Sequence, residues 1–112
     1  YLTGTLYGRP RFPPIKEYSP SRIVSIHQPL NCIDHDGPGR VLATRMAQYC
    51  DLPVRKIGAR PGSLGSYTGE TLGIATITLE LPGEASKDSD QVLWDKYGKA
   101  LLAAILYPEH PY

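Results

Sequence analysis

Two stretches of this chain alternate or run together in β-branched apolar residues and then stop on an ionisable side chain. They are Arg22-Ile23-Val24-Ser25-Ile26-His27 and Ile74 to Leu81, the second closing on Glu80 just before Leu81-Pro82. Both read as strands of a sheet. Between them Val41, Leu42, Arg45, Met46 and Tyr49 recur at helical spacing and predict a helix over about 39–50, stopped by Leu52-Pro53. Val54 to Gly58 suits a short strand, and Pro29 to Pro38 reads as a loop. The strongest helical pattern covers about 88–107, with Leu93, Tyr97, Ala100, Leu101, Ala104 and Ile105 as its apolar stripe and Pro108 as its stop. The order β-α-β-(α)-β-α implies right-handed crossovers and an α/β fold with a mainly parallel or mixed sheet flanked by helices.

Residues 1–21 differ from the rest: Pro10, Pro13, Pro14 and Pro20, interspersed with Arg9, Arg11 and Lys16, exclude a regular helix and make an irregular lead-in. The α/β part is then 22–112. Three strands make a thin sheet, and a parallel sheet normally needs both faces covered, so the chain reads as an incomplete part of a larger domain. Its free sheet edge is then a place for self-association or a partner chain.

With 12 Lys and Arg against 11 Asp and Glu, the charge balance gives no bias toward nucleic acid or an anionic membrane. No apolar run approaches the roughly 20 residues of a membrane span, and the first residues lack the basic-then-apolar pattern of a secretion signal. Cys32 and Cys50 are too few for a disulfide scaffold; they read as free thiols of a reducing compartment, with a single bridge as the alternative.

The candidate chemistry sits at the strand ends. Gln28-Pro29 closes the first strand directly after His27, which leaves the imidazole at a loop mouth open to solvent or metal. Glu80 follows alternating Thr, Ile and Leu positions, and an unpaired carboxylate buried there costs several kcal/mol unless a cation, a metal or hydrogen bonds compensate. If the two strands are parallel, both residues project from one carboxyl edge, where open α/β sheets place ligands. Each has a plainer reading, His27 as a hydrogen-bonded edge residue and Glu80 as a solvated strand end.

Gly62, Gly65, Gly69 and Gly73 recur at three- and four-residue steps, with no phosphate-loop lysine and no Gly-x-Gly-x-x-Gly. This stripe is expected to let a helix or irregular turn approach the sheet closely, with Ser63 and backbone N–H groups facing the site. Cys32-Ile33-Asp34-His35-Asp36 offers four metal-binding side chains but no second cluster at zinc-finger spacing, and reads as a polar loop beside the active edge. Arg60 suits either a bidentate grip on a substrate carboxylate or a plain surface position.

Three strings carry a resemblance: Ile23 to Asp34, Pro61 to Tyr67, and Ile77 to Pro82. In order and approximate spacing they resemble the carboxyl-terminal half of the murein peptide amidases, a branch of the zinc carboxypeptidase (M14) family, over about Lys16 to Tyr107. The resemblance implies a zinc carboxypeptidase-like α/β fold, with His27 as the third zinc ligand and Glu80 as the catalytic carboxylate. It also implies cytoplasmic cleavage of the γ-D-glutamyl-diaminopimelate bond of murein stem peptides. Arg60, Ser63 and Tyr67 are its candidate substrate contacts.

The family's other zinc ligands come from an upstream His-x-x-Glu string, followed by an Asn-Arg pair, and neither occurs here. The phenol that digestive carboxypeptidases carry before the Gly-Ser string is replaced around Ile57, with Tyr67 as a substitute. One histidine does not hold catalytic zinc, so the isolated chain is expected to be inactive. Two other readings stay open: a metal-free peptide-binding or interaction module of the same fold, and a zinc acylase acting on N-acyl amino acids.

Overall fold

The computed structural model describes residues 15–112. Most of the Pro- and Arg-rich lead-in lies outside them. The described part of it does contain one helical turn, α1 (Ile15–Tyr18), where a regular helix was not expected.

A three-stranded sheet forms the centre, made of β1 (Arg22–His27), β2 (Leu30–Asp36) and β3 (Ala75–Pro82) in the order β1-β3-β2. β3 runs parallel to β1 and antiparallel to β2, so the sheet is mixed. Because β1 and β2 flank β3, the short connection between them must pass over the carboxyl end of β3. That crossing places Gln28 and Pro29 beside Glu80.

The main departure from the sequence pattern is β2. Cys32 to Asp36 is a strand rather than a loop, and all five residues are buried. Its polar side chains hide the apolar signal, and they tolerate burial because distant segments supply partners: Asp34 Oδ1 accepts from Ile57 N–H at 2.8 Å and Asp36 Oδ1 faces Lys56 Nζ at 3.4 Å. The expected strand at 54–58 is reduced to a single parallel bridge between Val54 and Ile33, held by Ile33 N–H to the Pro53 carbonyl at 2.8 Å and Arg55 N–H to the Ile33 carbonyl at 3.0 Å.

Two helices cover one face. They are α2 (Arg40–Ala47) and α3 (Asp90–Leu106), each shorter than its sequence pattern by the fraying ends. Ile33, Leu42, Met46, Ile77, Leu79, Tyr97 and Ala100 form the core between them and the sheet. Burial of each large aliphatic side chain is worth about 1.5–3 kcal/mol. Ile105 departs from the expected stripe: it is 69% exposed, beside the outer edge of β1.

α3 starts at Ser89, whose Oγ accepts from Val92 N–H at 3.2 Å, and ends before Pro108. Arg22 Nη1 donates to the carbonyls of Ala104 at 2.9 Å and Tyr107 at 2.8 Å, putting a cation at the negative end of the helix. The opposite face of the sheet is polar, and a seven-residue π-helical segment, Gly65–Thr71, packs on part of it.

Candidate functional site

Register decides which side chains meet on the polar face. His27 pairs with Glu80 across the parallel ladder, and Glu80 pairs with Cys32 across the antiparallel one. Register partners on neighbouring strands project to the same face, so His27, Glu80 and Cys32 form one row at the carboxyl ends of β1 and β3. Ser25, Thr78 and Asp34 form the next row, with Ser25 Oγ donating to Thr78 Oγ1 at 3.4 Å. The neighbouring-strand arrangement expected for His27 and Glu80 is therefore present.

The two residues differ in surroundings. His27 is exposed, whereas Glu80 is only 7% exposed and its Oε1 accepts from Leu30 N–H at 3.3 Å. An accessible imidazole beside a largely buried, hydrogen-bonded carboxylate can bind an incoming electrophile or metal and move a proton next to it. Burial pushes the Cys32 thiol up, with Arg55 opposing and Asp34 and Glu80 reinforcing the shift. The thiol beside Glu80 is thus a protonated, unreactive group.

The glycine-rich segment behaves as packing. A Cβ on Gly69 would lie 2.7 Å from the Asp36 Cβ and 2.8 Å from Gly37 N, so only glycine fits that approach. Thr68 Oγ1 bonds Thr76 Oγ1 at 2.7 Å in full burial and completes the attachment. This contact is at the Thr76 end of β3, four residues from Glu80 and so about 13 Å away at the strand rise.

The three candidate substrate contacts lie in or just before this segment, which attaches at the Thr76 end of β3. Ser63 Oγ is occupied by Ser66 N–H at 3.1 Å. Arg60 and Tyr67 are exposed on the same stretch. Sequence reasoning missed two neighbours of Glu80 that the crossing supplies: the Leu30 N–H, and Gln28, whose Nε2 donates to the carbonyls of Pro82 at 3.2 Å and Gly83 at 3.3 Å. Only the adjacency of Gln28 to His27 hinted at them.

Among the described residues no three His, Cys, Asp or Glu side chains converge as a metal cluster. The described residues offer His27 as a single imidazole in the row, which is too few donors for a zinc centre by themselves. Among the described residues, too, no helix is long and apolar enough to cross a membrane.

No protein-family model matches the chain, and no curated protein does. Among solved structures the chain is similar to murein-tripeptide amidase MpaA from Escherichia coli O157, at 33% identity with a TM-score of 0.61. The match covers 87% of this chain and 38% of that one, so the chain spans well under half of the amidase's length. The mixed sheet flanked by helices is accordingly an amidase-like α/β fold.

Proposed function

We propose that this chain is the carboxyl-terminal portion of a zinc-dependent peptide amidase of the M14 kind, acting on the γ-D-glutamyl-diaminopimelate bond of murein stem peptides. The observation that carries the reading is the register pairing of His27 with Glu80 at the carboxyl ends of adjacent parallel strands, within a fold like that of a murein-tripeptide amidase. His27 is one zinc ligand in this reading, and the remaining ligands come from outside the described residues. Zinc held by His27 together with those ligands would polarise the scissile carbonyl and acidify water.

Glu80 acts as the base and then the acid. Its carboxylate takes a proton from the attacking water and returns it to the departing amine of diaminopimelate. Leu30 N–H holds one carboxylate oxygen, which leaves the other to face the reacting water. The burial of Glu80, only 7% exposed, limits the access of bulk water to that proton. Arg60 and Tyr67 are assigned to the substrate from their exposed stretch, Arg60 toward a carboxylate of the peptide.

The reading is tested by incubating the complete enzyme, which joins this chain to the remaining zinc ligands, with zinc and a murein stem tripeptide, beside an N-acyl aspartate, and following release of free diaminopimelate or amino acid. Release from the tripeptide alone supports it. Release only from the acyl amino acid assigns the acylase instead, and tight peptide binding without zinc or turnover assigns the binding module.

A further inference from the structure

The crossing between β1 and β2 has a bond pattern that the reaction chemistry does not require. Gln28, the residue after His27, sends its side-chain amide across the end of β3 to two successive carbonyls, Pro82 at 3.2 Å and Gly83 at 3.3 Å. Two residues further on, Leu30 N–H reaches back to Glu80 Oε1 at 3.3 Å. Between them Pro29 lies against Gly83, where an added Cβ would come within 3.5 Å of the Pro29 Cβ. The three contacts tie residues 28–30 to residues 80–83 at the point where the candidate base ends its strand.

We propose that Gln28 is a positioning residue: it straps the β1–β2 crossing to the end of β3 and thereby sets the Glu80 carboxylate against Leu30 N–H and beside His27. The two amide protons of one Gln Nε2 suit this task, since they engage two carbonyls and leave the side-chain oxygen free. Gln28 itself is exposed, so its bonds compete with water and add little to global stability. Their consequence is geometric. A crossing released from Pro82 and Gly83 moves Leu30 N–H relative to the carboxylate, and small displacements of a base reduce turnover disproportionately. The catalytic consequence rests on the amidase reading, whereas the strap does not.

The test therefore uses two readouts. In the substrate-free protein at fixed pH, the readout is the hydrogen-exchange response of the Leu30 amide followed by NMR, taken as its protection in excess of that in Glu80→Gln, which isolates the part that belongs to Glu80. Gln28→Met, similar in shape but without donors, should at least halve that response. Gln28→Lys, which restores a donor, should recover it. A full-size response in Gln28→Met, or equal loss in Met and Lys variants, overturns the strap. Where the wild-type protein turns over stem tripeptide, Gln28→Met should lower kcat roughly tenfold with KM nearly unchanged, and Lys should rescue kcat. Unchanged kcat in an active complete enzyme overturns the positioning role while leaving the amidase reading intact; absence of turnover in the complete enzyme counts against the amidase reading and leaves the NMR result to decide the strap.

Discussion

Gly69 is seated on Asp36 with no room for a side chain: a Cβ there would meet the Asp36 Cβ at 2.7 Å and the Asp36 carbonyl carbon at 2.8 Å. The neighbours are backbone and a buried carboxylate pinned by Lys56, so they cannot swing aside. Gly69→Ala should destabilise the fold by about 1–3 kcal/mol through overpacking. Urea melts of the two proteins measure the difference, and an alanine variant as stable as the parent would show that the π-helical segment can lift from the sheet.

Burial pushes the His35 imidazole below its usual value; Lys56 and Arg40 act in the same direction, and Asp34 and Asp36 oppose them. The folded state thus prefers the neutral ring. Its contribution to stability is complete above the ordinary value of about 6.5 and is lost as pH falls from there through the lowered folded value. The urea midpoint should drop between pH of about 7 and about 5.5 more steeply in the parent than in His35→Gln. Parallel slopes would remove His35 from the acid sensitivity.

Cys32 is fully buried and Cys50 half-buried, both free and both with thiols pushed up by burial. A disulfide reagent should modify Cys50 first and reach Cys32 only when the sheet opens. Single-cysteine variants under native conditions and in urea distinguish the two, and equal native rates would contradict the packing of β2 against β3.

Under the amidase reading the two site residues should fail differently in the complete enzyme. His27→Ala should lower zinc occupancy and turnover together, because a ligand is lost. Glu80→Gln should retain metal while turnover falls by about 10²–10⁴, since an amide cannot take the proton. Metal analysis alongside stem-tripeptide kinetics reads both, and loss of metal in Glu80→Gln would recast Glu80 as a ligand or a structural group.

Among the described residues β1 has a strand on one side only, and Ile26, 53% exposed, lies on an apolar groove of about 350 Å³ with Val24, Leu101 and Ile105. Self-association through this edge should appear as a sedimentation coefficient that rises with concentration. Ile26→Lys places a charge in the groove and should flatten that dependence. A parent that sediments as a monomer at every concentration would leave the edge to another occupant.

His27, Glu80, the two strands that carry them and the two long helices were legible in the amino-acid sequence, because each rests on a local pattern: β-branched runs closed by an ionisable residue, and apolar positions at helical spacing. The close approach of the glycine-rich segment was legible for the same reason, since glycine spacing is itself local. The strand Leu30–Asp36 was not. Its buried Asp34 and Asp36 are acceptable only because Ile57 N–H and Lys56, about twenty residues away, arrive to pair with them, and polar residues with distant partners look like a loop until the chain has folded. The same long-range pairing decided that the sheet, parallel or mixed by its sequence pattern, is mixed. It carried the β1–β2 crossing over the end of β3, and so brought Gln28 and Leu30 N–H to Glu80, a placement that depends on strand order and on nothing written in the residues next to it.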